Sequence, residues 1–208
     1  MEKRTKQLNR KNLQPQETAN RILNQAVRIF LAKGYHGTSI EDITRAAKLT
    51  KGAFYWHFKS KEDLLRKIIK GYETRFLDGL FRAVEEVEGG VFDKFEKYVR
   101  YNATFAYYNR ELCVSFDTLA AELIGAHHGI ETEFRRIYKK YQKFLSNLII
   151  QGKKEKIFKK EIDENLASLV IIAFHGGILI QWSMNRDKID GEAYVNTFKE
   201  IMLNGLMV

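Results

Sequence analysis

The chain has 208 residues, 45% of them apolar, enough to bury a core in one large domain or two small ones and too many for disorder throughout. A single Pro and a single Cys exclude a collagen-like chain and a scaffold stapled by internal disulfides. Lys and Arg outnumber Asp and Glu by 35 to 26, and the excess is local: residues 1–70 hold 16 basic and 6 acidic residues, residues 71–208 hold 19 and 20. A basic head on a near-neutral body points to a polyanion at the head, nucleic acid first and an anionic membrane surface second. The first twenty residues are polar and basic without the apolar run of a secretory signal, so a cytoplasmic location is expected.

Residues 1–14 carry Lys3, Arg4, Lys6, Arg10 and Lys11 with only Leu8 and Leu13 as bulky apolar side chains, too few to order the segment. It reads either as a solvated tail or as a basic arm lying along phosphates or in a groove. Pro15 suits a first helical turn, and Ala19, Ile22, Leu23, Ala26, Ile29 and Phe30 follow at helical spacing until Gly34. Thr38 or Ser39 can cap a second helix, with Glu41 or Asp42 completing the capping box and Ile40, Ile43, Ala46 and Ala47 forming its apolar face. Thr50 then precedes the short aromatic helix Lys51–Phe58, and Ser60 opens a fourth helix with Asp63 at the box position and Leu64, Leu65, Ile68 and Ile69 on its buried side. Three short helices within residues 16–58, the last two only a few residues apart, match a helix-turn-helix. The pattern stays helical thereafter, with breaks expected at Gly89–Gly90, at 125–129 and at 153–160 and no strand-like alternation. The predicted fold is all-α: an arm at 1–14, a three-helix helix-turn-helix DNA-binding domain at 15–62, and a larger helical-bundle regulatory domain at 63–208.

The stretch Gly34–Ile43, followed by Ala46–Lys61 with its run Phe54-Tyr55-Trp56-His57-Phe58-Lys59-Ser60-Lys61, resembles the TetR family of bacterial transcription regulators. The resemblance is close over residues 16–65. It implies an N-terminal DNA-binding domain, a helical domain that dimerises and holds a small-molecule pocket, and ligand binding that lowers operator affinity. The family commonly has Gly where this chain has Lys48. If the left-handed backbone is kept there, Lys48 carries modest strain and its charge can reach a phosphate.

A helix inserted into the major groove needs a small-residue front with long donors at its N-terminus. Lys51, Gly52 and Ala53 supply that front, and Lys51 is the expected base reader. By resemblance, Tyr55 and His57 contact phosphate or adjoining bases, and Lys61 anchors a phosphate. The hydroxyls of Thr38, Ser39 and Thr50 suit either phosphate contacts or plain caps. Phe54 and Phe58 are assigned to the core; Trp56 is left open between packing and contact, with packing favoured. A dimer of such heads predicts a near-palindromic operator with recognition helices about 34 Å apart or a multiple of that.

In the body, Leu166–Trp182 is apolar on several sides but broken by Ser168, His175 and Gln181, at the short edge of a bilayer span, so a buried helix is expected there rather than a membrane segment. With the amphipathic run from Tyr194 to Leu206 it forms the expected homodimer interface, built on Leu169, Ala173, Gly177, Trp182, Phe198 and Met202; the same residues also fit an intramolecular core. The aromatic residues between 91 and 150 serve a core or a pocket for a small hydrophobic, aromatic or amphipathic effector. Phe105, Tyr108, Phe116, Tyr141 and His175 are the expected lining. The cluster Arg135, Arg136, Lys139, Lys140 and Lys143 reads as a solvated face or as a seat for an anionic tail. No cofactor or metal is expected: adjacent His127 and His128 diverge on a helix, His128 and Glu131 lack a third ligand, Cys113 stands alone, and no phosphate-cradling glycine loop occurs. The chain therefore reads as a ligand-responsive repressor. A nonspecific DNA-architectural protein is the alternative, and a helical-bundle enzyme the remote one.

Overall fold

The structure, a computed structural model, describes residues 15–125 and 129–208; the basic segment 1–14 and the His127–His128 pair lie outside the described residues. Nine α-helices and one π-helical turn are described: α1 (Pro15–Lys33), α2 (Ile40–Ala46), α3 (Lys51–His57), α4 (Lys61–Tyr72), the π-turn Glu73–Leu77, α5 (Asp78–Glu85), α6 (Val91–Leu123), α7 (Gly129–Lys154), α8 (Glu164–Met184) and α9 (Gly191–Leu206). Two compact units emerge, one ending at Ile69 and the other running Lys70–Val208.

The first unit follows from its caps and its apolar spacing. α1 buries Ile22, Ala26, Val27 and Phe30, which lie on one face, and stops where Gly34 turns left-handed at φ 71° with its amide on the Phe30 carbonyl. Ser39 caps α2: its hydroxyl accepts the Asp42 amide while the Asp42 carboxylate accepts the Ser39 amide, both at 3.1 Å. The Ser39 hydroxyl, then its amide, then Lys33 hold the Asp42 carboxyl down to about 2. Thr50 caps α3 through the Ala53 amide at 3.2 Å, and the Ser60–Asp63 pair caps α4. Between α2 and α3, Lys48 adopts φ 53°, a left-handed conformation that costs a side-chain-bearing residue about 1 kcal/mol. Ile22, Phe30, Ile43, Phe54, Leu64 and Leu65 close the core.

The second unit is a helical bundle. α6 is kinked where Asn109 leaves helical dihedrals (φ −128°, ψ 32°). Phe95, Tyr98, Phe116, Leu123, Ile137, Leu145, Ile149 and Ile171 are buried within it. Gly152 of α7 lets the Phe158 ring lie against its backbone, where any Cβ would collide with that ring. Residues 157–159 pair with the chain end, Lys159 N–H donating to Leu206 O at 2.8 Å and Val208 N–H to Ile157 O at 3.1 Å. This lone bridge is the only strand-like pairing among the described residues.

The π-turn carries a buried acid. Glu73 is 2% exposed and receives both Arg136 guanidinium nitrogens (2.7 and 2.9 Å), with Lys70 at 3.0 Å. The Arg136 bonds, ahead of Lys70, hold its carboxyl down to about 2. Lys140 bridges to Asp78 at 2.5 Å, and Arg135 bonds Glu131. Three members of the cluster read as a solvated face or an anion seat are thus engaged in ion pairs within the unit.

Phe198 and Met202, expected at a dimer interface, are instead buried within the chain's own bundle, Phe198 with its ring 5.2 Å from that of His175. The apolar face of α9 turns inward because α6 and α8 offer it a partner in the same chain. Phe105, expected in the pocket, packs on Phe76 and Tyr101 (5.0 and 6.2 Å between centroids) and does not line the cavity.

Candidate functional site

In α3, Phe54 and Phe58 are one helical turn apart, which puts both rings on the buried side: they are 0% and 3% exposed with centroids 5.5 Å apart. The intervening residues must then face outward. Tyr55 is 56% and Trp56 70% exposed, and with Lys51 and Gly52, one turn earlier, they make a free front of one cation, two aromatic rings and one position without a side chain. Trp56, left open between packing and contact, therefore does not pack inward; its indole meets the half-buried His57 ring edge-on at 4.6 Å. Lys51 Nζ stands 3.2 Å from Glu41 Oε1, both exposed, a pair weak enough for a DNA group to displace. Ala53 is half-buried, and Ser39, Lys48 and Thr50 are exposed beside this front.

Two of the expected contact residues turn inward. The Thr38 hydroxyl is buried and donates to Gly34 O at 2.6 Å, which leaves no proton for a phosphate. Lys61 donates to the carbonyls of Tyr35 and Thr38, each at 2.7 Å, and lies 4.3 Å above the Tyr35 ring. Its ammonium ties α4 to the turn after α1, because two carbonyls converging there need a cation or a donor.

The second unit contains a half-open cavity of about 1100 Å³ lined from α4, the π-turn, α6, α7, α8 and α9. Tyr108, Phe116, Tyr141 and His175 line it as expected, together with Trp182, which was expected at a dimer interface. Tyr98 Oη lies 2.8 Å from both Tyr141 Oη and His175 Nδ1, and Tyr141 Oη is 3.1 Å from Asn102 Oδ1. Burial pushes the His175 imidazole down to about 4, which keeps the ring neutral in its hydrogen bond with Tyr98. Across the cavity Tyr138 donates to Asp117 at 2.9 Å, and burial raises the Asp117 carboxyl to about 6 against this hydrogen bond. Tyr72 stacks on Phe116 at 3.8 Å. Cys113 also reaches the cavity, but burial lifts its thiol to about 12, which leaves it unreactive. Among the described residues no group of three His, Cys, Asp or Glu is arranged to hold a metal.

α8 is long and apolar enough to cross a bilayer by composition. Its two sides differ, however. Ser168, Ile171 and Leu179 are buried and His175 lines the cavity, whereas Leu166, Leu169, Val170, Ala173, Phe174, Gly177, Ile180 and Met184 form one exposed stripe. Leu169, Ala173 and Gly177, three of the residues expected at a dimer interface, lie on it.

A helix-turn-helix with an exposed recognition face, followed in the chain by a helical unit with a large cavity, defines a one-component DNA-binding regulator. The family model of bacterial regulatory proteins, tetR family, matches residues 22–68, and that of the YsiA-like protein, C-terminal region, matches residues 73–205. The chain belongs to the TetR family of transcription regulators. Similar proteins include the HTH-type transcriptional repressor DhaR of Mycobacterium sp. (strain GP1), 22% identical over 88% of this chain and 90% of its own length. The fatty acid metabolism regulator protein of Bacillus subtilis (strain 168) is 23% identical over 89% of this chain and 93% of its own. Among solved structures, the MbdR regulator from Azoarcus sp. CIB superposes with TM-score 0.82 at 24% identity, covering 92% of this chain and all of that one. FadR from Bacillus subtilis, in complex with stearoyl-CoA, superposes with TM-score 0.73 at 23% identity over 89% of this chain and 97% of its own.

Proposed function

We propose that this regulator acts in the cytoplasm as a homodimeric repressor of a near-palindromic operator and is released when a hydrophobic or amphipathic effector enters the cavity of residues 70–208. The observation that carries the reading is the outward face of α3. Two phenylalanines anchor the helix so that Lys51, Gly52, Tyr55 and Trp56 project from it, with Lys51 as base reader and Tyr55, Trp56 and His57 as backbone or base contacts. Lys48, Ser39 and Thr50 flank that face as phosphate contacts.

The exposed stripe of α8 supports the dimer. Apolar residues recurring at helical spacing along the length of α8 are hidden from water most simply by a second copy of the same stripe, with Ala173 and Gly177 allowing close approach. The cavity supports the effector, since about 1100 Å³ with a mainly apolar lining suits a ligand with a long apolar part. Because a similar protein is solved with stearoyl-CoA, a long-chain acyl-CoA is the first candidate. α4 carries both Leu64 and Leu65 of the first unit's core and Tyr72 of the cavity wall, so it is the lever of this mechanism. An effector acts by favouring the dimer geometry whose head spacing misfits the grooves, and each 1.4 kcal/mol of differential binding changes operator affinity about tenfold.

The test is to select bound fragments from the source genome, footprint the winner, and titrate the complex with stearoyl-CoA and shorter acyl-CoAs. Protection of two half-sites one or more helical turns apart, lost on addition of one of these ligands, is expected. Equal affinity for every duplex would instead support the DNA-architectural reading.

A further inference from the structure

We infer that the cavity contains an inner polar subsite, formed by Asp117 with the hydroxyls of Tyr138 and Tyr72, that takes a hydrogen-bond donor, a hydroxyl or an ammonium, on the buried part of the effector. The inference rests on the effector cavity proposed above and narrows its occupant: a chain that carries a hydroxyl or an ammonium fits it better than the plain chain of stearoyl-CoA.

Three helices build the subsite. Asp117 comes from α6, one position after Phe116, whose ring holds the Tyr72 ring of α4 in a stack at 3.8 Å. Tyr138 comes from α7 and donates to Asp117 Oδ1 at 2.9 Å. The other carboxylate oxygen, Oδ2, accepts no hydrogen bond among the described residues, and neither does the Tyr72 hydroxyl find a partner there. Among the described residues the fully buried side-chain oxygens without a partner are those of Ser115 and Ser183, so Asp117 Oδ2 and Tyr72 Oη are not completely covered, and both residues line the cavity.

Gly176 on α8 explains why Oδ2 stays uncovered. A Cβ built at that position stands 3.6 Å from Oδ2 and from nothing else within 4 Å, so the missing methyl opens the oxygen to a ligand atom. Among the described residues no cation pairs with the acid. Of the basic residues along the cavity, Lys199 pairs with Glu96 at 2.9 Å, Arg186 lies over the Trp182 ring, Arg100 is exposed and makes no ion pair with Asp117, and the neutral imidazole of His175 is hydrogen-bonded with Tyr98. Desolvation first, with the Asp117 charge second, raises the Tyr72 phenol well above its ordinary value, so it remains a neutral donor and acceptor.

An acid oxygen facing an apolar cavity without a donor is costly, and a purely aliphatic ligand would make the cost worse by excluding water from it. A ligand hydroxyl or ammonium at that point donates to Oδ2 and can share the Tyr72 hydroxyl. A ligand carboxylate at the same point meets a like charge.

Dodecylamine, 1-dodecanol and dodecanoate share one chain and differ only in this group. Each is titrated into the full-length protein at pH 7.5 and followed by calorimetry and, in a Trp56→Phe background, by the fluorescence of Trp182. The amine and the alcohol are expected to bind tighter than dodecanoate. Asp117→Asn, which keeps an acceptor for Tyr138, is expected to weaken the amine at least tenfold and to leave dodecanoate equal or tighter. Gly176→Ala covers Oδ2 without removing its charge and is expected to weaken both amine and alcohol. Equal affinities for the three ligands in the wild type, or a preference that survives both substitutions, would overturn the subsite while leaving the cavity intact. If none of the three binds while stearoyl-CoA does, the subsite is overturned and the cavity stands; if none of the four binds, the effector cavity is refuted as well.

Discussion

Replacing Asp117 by Asn is expected to stabilise the protein, and to do so more strongly at pH 7.5 than at pH 4.5. Burial raises this carboxyl from 3.8 to about 6, with the Tyr138 hydrogen bond opposing the rise. The folded state therefore binds the proton more tightly than the unfolded chain. Below 3.8 both states are protonated and the shift has no effect. Between 3.8 and about 6 stability falls as pH rises, and above about 6 the loss is complete. A displacement of that size amounts to roughly 3 kcal/mol at 1.36 kcal/mol per unit. At pH 4.5 about 1 kcal/mol of it has already been lost, so the gain from an untitratable Asn grows by about 2 kcal/mol between pH 4.5 and 7.5. For a chain of this size that is a difference of roughly 4–8 °C in melting temperature. Circular dichroism melts of wild type and Asp117→Asn at both pH values, at equal protein concentration, measure it. Any constant effect of the amide cancels in the comparison. A melting-temperature gain that is the same at both pH values, or larger at pH 4.5, would refute the claim that Asp117 is a desolvated acid facing the cavity.

Lys51→Ala is expected to relax base preference at one operator position, read by binding to single-base variants of the selected site. Lys61→Ala is expected instead to lower the stability of the first unit by about 1.5–3 kcal/mol for the lost charge-assisted bonds to the Tyr35 and Thr38 carbonyls, and to leave the salt dependence of DNA binding unchanged. Leu169→Lys, in the first half of the exposed α8 stripe, is expected to shift the protein toward monomer in sedimentation velocity and to lose operator affinity with it. Glu73→Gln is expected to destabilise the second unit at pH 7. Because the Glu73 carboxyl is held down to about 2, its contribution is present above the ordinary carboxylate range and fades as pH falls, so wild type and variant should converge toward pH 3 in thermal melts.

How much of this was legible in the sequence depends on whether a side chain's environment is set by its own helix or by another. The caps are local: Ser39 with Asp42, Thr50, and Ser60 with Asp63 are fixed by residues three positions apart, and the alternatives Thr38 and Glu41 were separable only by geometry. Helical phase also settles α3, since Phe54 and Phe58 claim one face and leave Tyr55 and Trp56 the other; favouring packing for Trp56 gave residue type more weight than phase. Phase could not decide α8 and α9. α8 is apolar almost all round, and only packing divides Ile171 and Leu179, turned inward, from Leu169 and Phe174, turned outward. In α9 the apolar stripe is clear, but whether Phe198 and Met202 meet their own chain or a copy depends on how far α6 and α8 extend over them. Phe105 lies one turn before the Asn109 kink, where a regular helix no longer predicts which way a residue points.

Asp117 was missed for a different reason. A single acid in a long helix carries no motif, and its partners Tyr138 and Gly176 lie on two other helices. Its phase was nevertheless informative: Cys113, Phe116 and Ala120, at positions −4, −1 and +3 from it, are all buried. An ionisable residue on the apolar face of an otherwise regular amphipathic helix conflicts with the local pattern, and such a conflict survives folding when the resulting cost is offset by binding. The same reasoning leads from the sequence to His175, which interrupts the apolar run of α8 and lines the same cavity. Two polar interruptions on the inner faces of two different helices are thus the trace that a binding cavity leaves in a sequence whose pocket residues are otherwise indistinguishable from core.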